Sequence, residues 1–166
     1  RLVGSEMCIR DRVYGDGNNF IRTILRLAKE RSILRVINDQ YGVPTSANWL
    51  AEIACNLTFT DNGLREFRSG IYHATPNGET TWHGLASLVV QSAQNDSYNL
   101  VIPSSKITPI PAAEYPLPAP RPTNSRLSSN KLKIELQRLG IVSKLDHWNT
   151  PWDEQVSNYV KHLLKV

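Results

Sequence analysis

The sequence predicts an α/β fold, rich in helix and carrying a few short strands. Three observations lead there. Apolar residues recur at i, i+3, i+4 and i+7 in several windows, short β-branched runs stand between those windows, and Asn, Gly, Pro, Ser and Thr clusters punctuate the joins. The 166 residues are a one-domain length. That is enough chain to bury about two-thirds of its unfolded surface. A content of 40% hydrophobic and 20% charged residues is that of an ordinary globular protein. No apolar run approaches the ~20 residues that a membrane span needs, and no basic-then-apolar leader opens the chain. A soluble, cytoplasmic protein without a membrane partner is the expectation.

The elements follow in order. Phe20, Ile21, Ile24, Leu25 and Ala28 fall at helical spacing, with Asn18 or Asn19 as the cap and Lys29 and Arg31 suited to the negative end of the dipole. Ile33–Ile37 reads as a strand and Asn38–Pro44 as a loop. Thr45 or Ser46 then caps a second helix that turns Leu50, Ile53, Ala54 and Leu57 inward. Asp61-Asn62-Gly63 opens a loop running toward Ser69, and Gly70–Ala74 reads as a strand entering a turn at Pro76-Asn77-Gly78. Thr80 or Thr81 starts the clearest helix, with Trp82, Leu85, Ala86, Val89, Val90 and Ala93 along one stripe.

Ile107–Ile110 is a further candidate strand. Seven of the ten prolines lie in the segment 103–122, which excludes helix and a central strand there. Ile107, Ile110, Tyr115 and Leu117 interleave with them, so the segment is expected to be a loop pinned along the surface. Ser128 is expected to cap a helix carrying Leu132, Leu136 and Leu139 and closed by Gly140. Thr150 is expected to cap the last helix with Pro151 at its first position, and Val156, Val160, Leu163 and Leu164 facing inward.

Cys8 and Cys55 make no disulfide framework and read as free thiols in a reducing compartment. A net charge of +4 raises the question of a nucleic-acid partner, but the basic residues are spread along the chain and many have acidic neighbours. Arg22, Arg26 and Lys29 share a helix face, which is the ordinary pattern of a solvated surface. The same basic surface suits a ligand carrying a diphosphate. The four histidines lack an adjacent nucleophile or metal-ligand spacing, so each reads as structural. Trp148 and Trp152 read as packing residues.

Three runs could carry chemistry. Gly15-Asp16-Gly17-Asn18-Asn19-Phe20 puts amide side chains at a helix start, where anions bind; plain capping explains it as well. Asn38-Asp39-Gln40-Tyr41-Gly42-Val43-Pro44-Thr45 is a polar loop leading into a capped helix, and Gln40 could face a sugar or base; a well-specified turn is the competing reading. Arg121-Pro122-Thr123-Asn124-Ser125-Arg126 places guanidinium forks beside short donors on a proline-stiffened loop, which fits phosphate oxygens. The competing reading there is an ion pair with a surface acid. No Gly-rich dinucleotide fingerprint occurs, and no Tyr has a Lys four positions later.

Taken in this order and spacing, with Leu-Arg-Leu-Ala-Lys-Glu-Arg, Gly-Ile-Tyr-His-Ala and Thr-Thr-Trp-His, these runs resemble the C-terminal half of the dTDP-4-dehydrorhamnose reductase family. The likeness extends from Val13 to about Leu164. It implies the C-terminal part of an extended short-chain dehydrogenase of Rossmann type, with 13–166 as a helix-rich substrate-binding portion. The family reaction is NAD(P)H-dependent reduction of the 4-keto group of dTDP-4-dehydro-L-rhamnose to give dTDP-L-rhamnose. The cofactor gives hydride, a Tyr gives the proton, and a Lys lowers the pKa of that Tyr.

The resemblance implies Asn19, Gln40, Pro44, Arg121 and Asn124 as substrate contacts and a dTDP-sugar as partner. It implies NADPH or NADH bound mainly by the other half of the protein, Mg2+ as a candidate ion, and a homodimer as the candidate full-length assembly. With the Tyr-x-x-x-Lys pair missing, this chain alone is expected to be inactive. A substrate-stacking Trp is implied at position 12, where the sequence has Arg12. Residues 1–12 otherwise resemble translated adapter sequence, and native sequence is expected from about Val13. Two other readings remain: a non-catalytic module resembling the beta subunit of methionine adenosyltransferase, and a nucleic-acid-binding domain, which would need one contiguous basic face.

Overall fold

The computed structural model describes residues 12–115, 121–142 and 148–165. The expectations for residues 1–11 and for Leu117 lie outside the described residues. Strand β1 is Val13–Tyr14, followed by helix α1, Phe20–Glu30, and strand β2, Leu34–Ile37. Short strands β3 (Tyr41–Gly42) and β4 (Thr45–Ser46) lead into helix α2, Ala47–Thr58. A hairpin of β5 (Phe59–Thr60) and β6 (Gly63–Leu64) follows, then β7 (Thr80–Thr81) and helix α3, Trp82–Asn95. Strand β8 is Ile107–Ile110, helix α4 is Asn130–Arg138, and helix α5 is Trp152–Leu164.

The sheet is made of pairs. β1 runs parallel to β4, β2 parallel to β8, and β3 antiparallel to β7. Helix α3 lies at the centre, because its stripe is apolar on more than one side: Leu85, Ala86, Val89, Val90 and Ala93 are all buried. It packs against α1 and α5 and against the β2–β8 pair. Ile21, Ile24, Ala28, Val156 and Val160 close this core. A second core joins α2 to α4 through Trp49, Ile53, Leu57, Leu132 and Leu136, with Trp49 stacked on Trp148 at 5.6 Å.

The helix stripes and most caps agree with the sequence reading. Asn19 caps α1, Ser46 caps α2 and Thr81 caps α3, each accepting a first-turn N–H. Several expectations need correction. Gly70–Ala74 forms no strand: no described strand pairs with it, and its backbone is held from the side by Lys131 Nζ on the Ile71 carbonyl. In α2, Ala54 is exposed and Trp49 takes the inner face with Ile53 and Leu57, since the large ring fills the space against Trp148. Ser128 stands one residue too early for α4. Ser129 is the cap position without a side-chain cap bond, its hydroxyl being turned to the Thr75 carbonyl. Pro151 rather than Thr150 is the cap position of α5, and the Thr150 carbonyl instead takes a bond from Gln155. The loop 38–44 contains β3, and the turn at Asp61-Asn62 closes the β5–β6 hairpin. Tyr115, expected to be pinned, is exposed.

Candidate functional site

A cleft of about 850 Å³ opens between α1, β2 and the start of α3, lined among others by Asn18, Asn19, Phe20, Gln40, Trp82 and Arg121. Its size is that of a small-molecule site. Its walls are largely apolar, with Val36, Ile37 and Ile110 from the β2–β8 pair. Its polar lining includes Asn18, Asn19, Arg35 and Glu114, and Gln40 and Arg121 from the loops 38–45 and 121–126.

Backbone pairing joins those two loops. Tyr41 N–H donates to the Thr123 carbonyl at 2.8 Å, and Ser125 N–H donates to the Tyr41 carbonyl at 2.9 Å. The loop 38–45 is also tied down at its head. Asp39 accepts the Ala112 N–H at 3.0 Å, Asn38 N–H donates to the Ile110 carbonyl at 2.9 Å, and Asn38 Oδ1 accepts the Thr81 hydroxyl at 2.7 Å. A loop with this many anchors is preorganised, which lowers the entropy cost of binding.

A family model described as the RmlD substrate binding domain matches residues 8–164. The chain belongs to that family. It is 44% identical over 119 residues to the dTDP-4-dehydrorhamnose reductase of Shigella flexneri, a match that covers 72% of this chain and 39% of that protein. The dTDP-4-dehydrorhamnose reductase structure from Clostridium acetobutylicum aligns with a TM-score of 0.71 and 29% identity, over 93% of this chain and 46% of that one. The Bacillus anthracis dTDP-4-dehydrorhamnose reductase, solved in complex with NADP, aligns with a TM-score of 0.65 and 26% identity, over 91% of this chain and 45% of that one. The chain thus spans less than half the length of the relatives it matches.

Within this RmlD substrate-binding-domain chain, the expected contact residues fall into two sets. Asn19, Gln40 and Arg121 all line the cleft, and Gln40 and Arg121 also flank a small adjoining cavity with Arg12, Trp82, Pro122 and Ser125. Pro44 is buried behind the loop, and Asn124 is exposed. Asn124 Oδ1 accepts from the Arg126 backbone N–H at 3.1 Å and from its Nε at 2.9 Å. Arg126 continues to Glu79 at 2.7 Å and lies over the Tyr41 ring, so it props the loop. Asn19 has a heavily committed side chain. Oδ1 accepts the Arg22 N–H, while Nδ2 donates to the Gly15 carbonyl and to the Tyr159 hydroxyl, both at 2.9 Å.

One residue of the site, Trp82, was not marked by sequence reasoning, and Arg12 was marked only as standing where the resemblance implies a Trp. Trp82 was read only as part of a helix stripe, yet its indole N–H donates to Gln40 Oε1 at 3.2 Å. Arg12 is buried and donates to the Gln40 carbonyl at 2.8 Å. The Thr-Thr-Trp-His run carried the signal for Trp82, because a Trp at the very start of a helix can reach the loop before it. Beneath the site, burial, with the Tyr159 ring beside it, pushes the Tyr14 hydroxyl up from its ordinary value, so it stays neutral. His83 Nε2 lies 3.0 Å from the Ile107 carbonyl.

The sequence contains no Gly-rich dinucleotide fingerprint and no Tyr-x-x-x-Lys. Among the described residues no group of three His, Cys, Asp or Glu side chains could hold a metal ion, and the donor set does not fit Mg2+. No described helix is long and apolar enough to cross a membrane.

Proposed function

We propose that this chain is the nucleotide-sugar-binding portion, residues 13–166, of a dTDP-4-dehydrorhamnose reductase, and that the whole protein reduces the 4-keto group of dTDP-4-dehydro-L-rhamnose with NADPH or NADH. The observation that carries the reading is the joining of the 38–45 and 121–126 loops, whose Gln40 and Arg121 both line the cleft and its small adjoining cavity. Arg121 presents a planar fork suited to diphosphate oxygens. The apolar wall of Val36, Ile37 and Ile110, with Phe20 nearby, offers a surface for sugar or base. What these residues do is bind and orient; hydride and proton come from the cofactor and from groups outside this chain.

The names of the relatives favour this reading over a regulatory subunit. The basic residues favour it over nucleic acid. Arg26, Arg35, Arg126 and Arg138 are each paired with a glutamate, which breaks up any single basic face. The exposed free thiol of Cys55 supports a cytoplasmic location. Calorimetric titration of the chain with dTDP tests the proposal. Saturable binding is expected, and Arg121→Ala should weaken it by roughly 10- to 100-fold, the worth of a hydrogen bond to a charged group. No saturable binding by the unaltered chain overturns the reading. In an assay of nicotinamide oxidation with the keto sugar, the chain alone should show no turnover.

A further inference from the structure

Arg126 lines neither the cleft nor its small adjoining cavity. Its side chain nevertheless ties three segments together. Nη1 reaches Glu79 at 2.7 Å, Nε donates to Asn124 Oδ1 at 2.9 Å, and the guanidinium carbon lies 5.6 Å from the centroid of the Tyr41 ring. The Arg126 backbone N–H donates to the same Asn124 oxygen at 3.1 Å. Both of these groups only donate, so the Asn124 amide must face them with its oxygen.

One end of this clamp is firm. Glu79 stands immediately before β7, which pairs with β3 and leads into the central helix α3. The other end is the loop that carries Arg121. Only Pro122 and Thr123 separate Arg121 from Asn124. The proline ring fixes φ at the first of them, and the carbonyl of the second accepts the Tyr41 N–H at 2.8 Å. So short and stiff a connection passes any displacement of Asn124 on to Arg121. A guanidinium on a long side chain binds best when its base is already aimed. The Arg126 and Glu79 side chains are 45% and 49% exposed, and an ion pair that open adds little to global stability. Its effect is to hold the loop.

We propose that Arg126, anchored on Glu79 and on the Asn124 amide oxygen, is a positioning residue that aims the Arg121 guanidinium at the bound diphosphate, and that Asn124 serves this clamp. This rests on the nucleotide-sugar reading above. Arg126 acts through Arg121, so its effect on binding vanishes once the Arg121 side chain is gone.

The test is calorimetric titration with dTDP of Arg121→Ala, Arg126→Gln and the double variant, with a denaturant melt of each. Arg126→Gln weakens dTDP by about three- to tenfold in the parent chain and leaves it unchanged in the Arg121→Ala background, with little change in the unfolding midpoint. A purely structural role would shift the midpoint and weaken both backgrounds alike. In the 15N-labelled chain without ligand, Arg126→Gln moves the Arg121 Nε signal. Arg126→Lys keeps the charge for Glu79 without the planar fork, and recovers only part of the affinity. Asn124→Ala adds no loss on top of Arg126→Gln; a further loss gives Asn124 a ligand contact of its own and overturns its place in the clamp. Unchanged affinity in Arg126→Gln, or losses that multiply in the double variant, overturn this inference while leaving the nucleotide-sugar reading in place. Should Arg126→Gln fail to fold, Glu79→Gln takes its place with the same outcomes. No dTDP binding by the unaltered chain overturns the reading and this inference together.

Discussion

Replacing Asn19 by Ala should cost stability more than it costs binding. The side chain does two jobs at the start of α1. Its oxygen caps the helix on the Arg22 N–H at 3.1 Å, and its nitrogen ties the Gly15 carbonyl and the Tyr159 hydroxyl of α5 to that start. Loss of an N-cap costs about 1 kcal/mol. Loss of part-buried amide bonds adds about 1 kcal/mol net. The second figure is softened because the Tyr159 hydroxyl still donates to Gly15 at 2.6 Å and still accepts from Arg22 at 3.2 Å. About 2 kcal/mol in a chain of this size lowers the melting temperature by roughly 4–8 °C. Far-UV circular dichroism melts would read it. Asn19→Ser keeps the cap but cannot reach Tyr159, and should recover about half the loss. A melt of Asn19→Ala within about a degree of the parent would refute the argument, as would Asn19→Ser melting no higher than Asn19→Ala.

Glu135 is buried. The Arg138 side chain first, and then the Arg68 backbone N–H, hold its carboxyl down to about 2 from an ordinary value of 4.5. Its folded value is the lower one, so its stabilisation is complete above about pH 4.5 and is lost as pH falls through about 2. Glu135→Gln should flatten that acid limb in urea melts taken across the range. Gly42→Ala would drive a methyl group into the Arg12 guanidinium, and overpacking there should cost about 1–3 kcal/mol, with a change in Trp82 fluorescence as the stack opens. Trp148→Ala removes one ring of the 5.6 Å Trp49 stack and should destabilise by roughly 3–5 kcal/mol in denaturant titration.

The helices were legible because each shows its period, and the first three also show their caps. Thr81 with Leu85, Val89 and Ala93 is the clearest case, and the structure buries those three apolar side chains. The strand expected at Gly70–Ala74 failed because β-propensity describes fit to a neighbour, and no neighbouring strand pairs there. The parallel β2–β8 pair was visible as two runs but not as a pair, since nothing local in Leu34–Ile37 names Ile107–Ile110 as its partner. The site shows the same limit. Gln40 and Arg121 stood out by residue type, whereas the Trp82 and Arg12 contacts depend on where α3 begins relative to the 38–45 loop, and that is a tertiary fact.

The long-range pairing of Leu34 with Ile107 also orders events in time. Closing so large a loop is entropically costly, and α3 packs on α1 and on both strands, so β8 is expected to settle on β2 after α3 has docked on α1. The stretch that follows β8 carries the Ala112 N–H that clasps Asp39. Ligand competence is therefore among the last properties the folding chain acquires, and a partly folded form with its helices already in place would not recognise ligand. Saturating ligand should then protect the amides of β2, β8 and the 38–45 loop from hydrogen exchange together, as one cooperative unit.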